Sequence, residues 1–294
     1  MLRRACAALL ITLLLPSSAL AWGFEAHKAI MRRAIDILPP ELKPYFTAHR
    51  DELAYRAIDP DLWRNVGWEE DQNHFMNFGA PEFGPFPFLA MPRDYGTALQ
   101  KFGFTTMKRL GMLPWREAEM FGNLQRALVR IGQNNGFATV DTVLFAAVAS
   151  HYIQDATQPL HATNSYDGQD TNQRGVHSRF ETELFERYES RLVLTPAPPK
   201  AFASPRDFAF ETLLTSYQKV DLVLKADKQA IGSKKVYDLE YYEAFLQNAK
   251  PLLEERLSAA ITATASIIVS AWEQAGRPVV RDPQRTLERV EKVR

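Results

Sequence analysis

Apolar side chains recur every three or four residues through most of this chain, and stretches that alternate with period two are scarce, so its core must be built from helices. The helical period is expected over residues 26–38, 41–57, 95–111, 115–133, 140–157, 177–193, 206–226 and 238–275, with breaks at proline, glycine or asparagine. The first segment shows the rule: Ile30, Ile35 and Leu38 lie close to helical spacing, and Pro39-Pro40 cannot continue the helix. The expectation is an all-α protein folded as a single multi-helix domain, because no boundary is sharp enough to divide it.

Two stretches interrupt the pattern. Gly67 to Pro92, with Phe83-Gly84-Pro85-Phe86-Pro87-Phe88, is rich in Gly, Pro and Phe and reads as a loop lying on the body of the fold. It could be a lid or a membrane-touching surface, or simply packed. Thr195 to Pro205 is a second, proline-rich crossing, and residues 277–294 read as a charged, partly frayed tail.

The first 21 residues have the order of a secretory leader: Arg3-Arg4, an apolar run from Ala5 to Leu15, then Pro16-Ser17-Ser18 and the small-x-small site Ala19-Leu20-Ala21. The run is well short of the ~20 residues that span a bilayer, so export by cleavage is expected rather than anchoring, with a secreted or periplasmic product and no transmembrane anchor after processing. Trp22 then becomes the first residue, and its free amine becomes available chemistry. The mature chain, residues 22–276 plus the tail, carries 33 basic and 35 acidic groups, which excludes a global basic field for nucleic acid or anionic lipid. The only cysteine, Cys6, lies in the leader, so the mature protein has neither thiols nor disulfides.

The chemistry sits with the histidines. There are six, and five stand in an order with nearby carboxylates. His151 and Asp155 are four apart on an expected helix and share one face, so imidazole and carboxylate can converge on one cation. Pro159-Leu160-His161 turns the chain and brings a third candidate from another direction, and His177 and Glu181 form a second pair four apart. Either pair alone is a weak motif, since core and helix-start histidines are common; two pairs flanking Pro-Leu-His within 31 residues are much harder to reach by chance. Asp155 on an apolar helix face is itself costly unless paired or metal-bound. Upstream, Asp59-Pro60-Asp61 and Asn73-His74-Phe75 offer a carboxylate and an imidazole, and His27 follows five residues after Trp22. His49, in a polar run, is expected at the surface.

The order Trp22, His27, Asp61, His74, His151, Asp155, His161, His177, Glu181 resembles the superfamily of zinc-dependent phospholipases C and zinc single-strand nucleases. The resemblance implies that family's all-helical fold and three zinc ions per chain. One ion would take Asp61, His74, His151 and Asp155; a second, His161, His177 and Glu181; a third, His27, bridging Asp155, and the amino nitrogen and carbonyl oxygen of Trp22. Asp59 is the alternative to Asp61. Nitrogen and oxygen donors of this kind suit zinc. The resemblance further implies hydrolysis of a phosphodiester by activated water, with the cations neutralising charge as it develops and Asp61 doubling as the base that orients the water.

Glu181 preceded by Phe180 resembles the phospholipase branch, whereas Trp22-Gly23 and the step to His27 resemble the nucleases. A choline cage is not supported: Glu25 fits by position, but Leu62 and Asp71 stand where aromatic residues are needed. Phe75 could stack a base, line an acyl-glycerol pocket or simply belong to the core. Three readings therefore stand open. They are a phospholipase C-like phosphodiesterase acting on phospholipid or another phosphodiester, a single-strand nuclease or 3′-nucleotidase acting on nucleic acid or nucleotides, and an exported helical metal-binding protein without turnover. Sequence says nothing of oligomeric state.

Overall fold

A computed structural model describes residues 22–282; the expected leader, residues 1–21, and the tail beyond 282 lie outside the described residues. Among the described residues all regular structure is helical. The elements are α1 (Phe24–Asp36), α2 (Lys43–Ala48), α3 (Arg50–Arg56), α4 (Asp59–Asn65), α5 (Tyr95–Phe102), α6 (Phe104–Leu110), α7 (Leu113–Gly132), α8 (Ala138–Thr157), α9 (Val176–Ser178), α10 (Leu184–Tyr188), α11 (Pro205–Tyr217), α12 (Val220–Ile231) and α13 (Leu239–Gln274). A π-helical turn, Arg179–Glu183, joins α9 to α10.

Several boundaries follow from local chemistry. The Asp94, Ser204 and Asp238 side chains accept from the backbone N–H of Thr97, Asp207 and Tyr241 and so cap α5, α11 and α13. Gly103, at φ +75°, splits the expected 95–111 helix into α5 and α6. The expected 206–226 segment likewise divides between α11 and α12, and α4, absent from the expectation, starts with Pro60 in its first turn.

The core forms around α8, whose residues from Ala146 to Thr157 are all buried. A helix buried on every side must be apolar all round except where function or a partner intervenes. Alanines at 146, 147, 149 and 156 let neighbours approach closely, and α7, α11 and α13 pack directly on it.

The 195–205 crossing is held in an unusual way. Backbone N–H groups of Val193, Thr195, Ala197, Lys200 and Phe202 donate to Glu254, Ser258, Thr262, Ser266 and Ser270 of α13, at 2.7 to 3.1 Å. Alternate residues of an extended chain are about 6.6 Å apart and every fourth residue of a helix about 6.0 Å, so the two repeats nearly match. Pro196 and Pro198 fall between the first donors, where no N–H is required, and Pro198-Pro199 absorbs the one-residue change of phase.

Three further expectations change. The 67–92 stretch is irregular but does not merely lie on the body: Phe78, Phe83 and Phe88 are buried, and Phe78 and Phe88 stack at 4.7 Å beside Tyr217. Burying these rings outweighs the weak local order of a Gly- and Pro-rich segment. Residues 277–282, expected to fray, are docked, because the Trp272 indole donates to the Pro278 carbonyl at 2.8 Å and Val280 is buried. That docking also covers His49, which is half-buried with Nε2 2.9 Å from Asp282 Oδ1 instead of standing free at the surface.

Candidate metal centre

Seven elements, α8 among them, bring eight of the expected side chains to one end of α8. His151 and Asp155 lie one turn apart on α8, with His151 Nε2 3.2 Å from Asp155 Oδ2. His161 comes from the 3₁₀ turn Pro159–Ala162, which Gln158 caps by accepting from Leu160 N. His27 comes from α1, Asp61 from α4, and His74 from the end of the short turn Asp71–Asn73. His177 and Glu181 come from α9 and the π-helical turn that follows it. All eight side chains are buried.

They fall into three groups: His27, His151 and Asp155; Asp61, His74 and His151; and His161, His177 and Glu181. Asp155 faces two of them at once. Its Oδ1 lies 3.3 Å from His27 Nε2, while Oδ2 lies 3.0 Å from His74 Nδ1 and 3.2 Å from His151 Nε2. In the third group Glu181 Oε2 is 2.9 Å from His177 Nε2 and 3.7 Å from His161 Nε2. Asp61 points inward, with Oδ1 3.8 Å from His74 Nδ1, whereas Asp59 turns toward Arg56 at 3.5 Å. Trp22 is fully buried beside this centre, its indole donating to the Gln154 carbonyl at 2.9 Å. A Cβ on Gly23 would lie 2.7 Å from Thr182 Oγ1, so glycine is what lets the segment leading into α1 run this close to the Glu181 turn. His49 takes no part.

Whether these donors fit zinc is decided by the atoms left over. His27 Nε2, both Asp61 oxygens, Asp155 Oδ1, His161 Nε2, His177 Nε2 and Glu181 Oε1 are buried without a hydrogen-bond partner. Buried polar atoms are rarely left so, and here they concentrate at one place. The opposite ring nitrogens are engaged: His27 Nδ1 with Gln154 Oε1 at 2.6 Å, His151 Nδ1 with the Ala57 carbonyl at 2.8 Å, His161 Nδ1 with the His74 carbonyl at 2.6 Å, and His177 Nδ1 with the Tyr166 carbonyl at 3.0 Å. A proton fixed on Nδ1 leaves the Nε2 lone pair facing the centre, the arrangement in which imidazole binds a metal. His74 differs, presenting Nδ1. With metal–donor bonds of about 2.1 Å a tetrahedral shell has donor–donor edges of about 3.4 Å, and the separations above bracket that value. The donor set fits zinc.

The electrostatics agree. Burial opposes charge on Asp155, but the facing His151 and His161 imidazoles outweigh it and hold the carboxyl well below the usual range. Burial likewise opposes charge on His161, yet Asp155 and Glu181 push it up to about 9. Glu181 is lowered against its burial by His177 and His161, and His74 is lowered chiefly by burial. Three buried carboxylates at one place favour positive charge beside them.

A cleft of about 370 Å³ opens onto the centre, lined by Arg64, Phe75, Tyr166 and the rings of His74, His161 and His177 among others. A larger groove, about 750 Å³, runs between the 193–200 strap and α13, but no histidine lines it and its chemistry is ordinary. Sequence reasoning missed Gln154 and Gln158. Both are uncharged polar residues on an otherwise apolar stretch of α8 and its cap, which is the signal that marks them. Gln158 Nε2 donates to Glu181 Oε2 at 2.7 Å. It also missed Asp227, which accepts from Arg179 Nε and Nη2 at 3.1 and 3.0 Å and so braces the π-helical turn against α12; nothing local to Asp227 announces this.

The family model described as zinc dependent phospholipase C matches residues 26–263, well over half of the chain. No curated protein matches the chain. Its span takes in α1 through most of α13 and all eight clustered donors. The chain belongs to the zinc-dependent phospholipase C family, and is by family a phospholipase C-like zinc hydrolase.

Proposed function

We propose that the mature protein is an exported phosphodiesterase of phospholipase C type, working in the periplasm or outside the cell with three zinc ions, and that its catalytic domain runs over residues 22–276. The observation that carries the reading is the convergence of eight buried side chains, most of which leave a polar atom without a hydrogen-bond partner. Asp61, His74, His151 and Asp155 would hold one ion, and His161, His177 and Glu181 a second. His27, Asp155 and the amine and carbonyl of Trp22 would hold the third. The Trp22 indole, anchored one residue before Asp155, supports that last assignment. No helix among the described residues is long and apolar enough to cross a membrane.

When bound, the ions supply Lewis acidity and the positive charge that a phosphorane-like transition state needs. The protein's own groups do the rest. Asp61, with both oxygens free of hydrogen bonds, orients the attacking water and takes its proton. Arg64 adds a cation to the cleft wall, 3.5 Å from Asp61 Oδ1. Gln154 and the carbonyls of Ala57, His74 and Tyr166 keep the imidazoles in one tautomer and orientation, and Gln158 holds the Glu181 carboxylate. One phosphorus–oxygen bond forms to water and one breaks to the leaving alcohol, which takes up a proton.

Metal analysis of correctly processed protein, followed by turnover of a phosphocholine ester with and without chelator, tests this reading. Three zincs and chelator-sensitive cleavage are expected; fewer than two zincs, or no turnover of any phosphodiester, would sink it. An extra methionine before Trp22 should remove one zinc and most activity. A second reading, a single-strand nuclease or 3′-nucleotidase, draws on Phe75 and Tyr166 at the cleft, whose faces could stack bases. Release of mononucleotides from single-stranded DNA without lipid cleavage would select it.

A further inference from the structure

Beside the cleft lies a second groove of about 690 Å³, which shares Asp71 and Phe75 with it and is lined further by Trp68, Phe104, Lys108 and Arg109. Two of its lining rings are open to solvent, Trp68 at 61% and Phe104 at 50%, and Val66 (71%) and Leu62 (41%) are exposed just before Trp68 in sequence. Leu62 and Val66 lie one turn apart on the outer face of α4 and its end, while the inner face carries Asp61. Trp68 is held out in place, its ring stacked on Trp63 at 5.7 Å. Single exposed apolar residues mean little, but two exposed rings on one groove, with two exposed aliphatic side chains within six residues of Trp68, do.

We propose that this rim docks the protein on a zwitterionic phospholipid surface; the proposal rests on the phospholipase C reading above. Indole and phenyl rings suit the boundary between headgroups and hydrocarbon, where one edge is apolar and the other wet. Leu62 and Val66 add aliphatic contact, which favours hydrocarbon and offers nothing to a stacked base. The nearby cations are already committed: Lys108 pairs with Glu69 at 2.8 Å, and Arg109 pairs with Glu82. A rim so neutralised lacks the free positive charge that a nucleic-acid backbone or an anionic bilayer requires, and it matches a headgroup layer of zero net charge.

The test uses the mature protein with vesicles of phosphatidylcholine, reading co-sedimentation and quenching of tryptophan fluorescence by brominated lipid. The double variant Trp68→Ser/Phe104→Ser should bind vesicles roughly tenfold or more weakly, given the apolar area withdrawn from the interface. Its zinc content and its turnover of a monomeric short-chain phosphatidylcholine should match the parent's, which separates docking from misfolding and from damage to the centre. Trp68→Phe should bind vesicles almost as the parent does while losing the quenching signal. Equal vesicle binding by parent and double variant overturns the proposal, as does a parent that cleaves the monomeric substrate yet never binds vesicles. Binding of a single-stranded oligonucleotide that is lost in the double variant overturns it in favour of a nucleic-acid groove. A protein inactive on every phosphodiester that still binds vesicles through these residues would refute the enzymatic reading and leave the docking surface standing.

Discussion

Replacing Gln154 by leucine isolates what a single supporting contact does for the metal centre. Gln154 is fully buried, accepts from His27 Nδ1 at 2.6 Å through Oε1, and donates to Thr264 Oγ1 at 3.2 Å through Nε2. Leucine nearly keeps the volume and removes both bonds. The His27 Nδ1–H is then buried without an acceptor, which costs about 1–3 kcal/mol. Loss of an outer partner of a metal-binding imidazole typically weakens affinity about 10–100-fold, or about 1.4–2.7 kcal/mol, so two independent estimates agree. Zinc occupancy measured against graded concentrations of a competing chelator should show the ion proposed at His27 released at 10–100-fold lower chelator strength, with the remaining zinc unchanged. The loss of the Thr264 bond should lower the stability of the folded chain by about 1 kcal/mol in denaturant titrations. Gln154→Glu, which keeps an acceptor for His27, should retain the third zinc. If Gln154→Leu released all its zinc as the parent does, the assignment of His27 to a metal would be wrong.

Asp227→Ala should destabilise the fold by about 3–5 kcal/mol, because Arg179 would remain buried without its carboxylate, and should release the zinc held at His177 and Glu181 first; denaturant melts and metal analysis read the two effects. Replacing Ser258, Thr262, Ser266 and Ser270 together by Ala, Val, Ala and Ala should free the 195–202 crossing, seen as faster amide exchange at Thr195, Ala197, Lys200 and Phe202 while α8 stays protected. Glu117 is fully buried with neither oxygen hydrogen-bonded, and burial pushes its carboxyl well above the usual range. Its folded pKa therefore exceeds its unfolded one. The stability it permits is complete below the unfolded value and is lost as pH rises toward the folded value. Glu117→Met should accordingly stabilise the protein by about 1–3 kcal/mol near pH 8 and by less near pH 4; a gain of the same size at both would show that charge burial is not the cause.

Most helices were legible because a helix writes its period into sequence over ten or more residues. What blurred were joints: Gly103 between α5 and α6, and the division of α11 from α12, where two short helices share one apolar rhythm. α4 escaped because seven residues starting at Asp59-Pro60 carry less than two clear turns of pattern. The core role of Phe78 and Phe83 escaped for a different reason: irregular segments have no period, so burial there is decided wholly by what they pack against.

The same division runs through the metal centre. By itself the sequence determined the two pairs four residues apart, His151 with Asp155 and His177 with Glu181, because the rise and twist of a helix fix such distances locally. It also determined the order of donors that relates the chain to its family. Only the tertiary structure decided that Asp61 rather than Asp59 turns inward, and that Asp155 faces His27 with one oxygen and His74 and His151 with the other. It alone seated Trp22 beside Gln154, aimed the imidazoles through Gln154 and distant carbonyls, and laid the proline-rich strap along the hydroxyls of α13. Those residues lie tens to more than a hundred positions apart, and their separation in space is set by how the whole core packs, which no local spacing encodes.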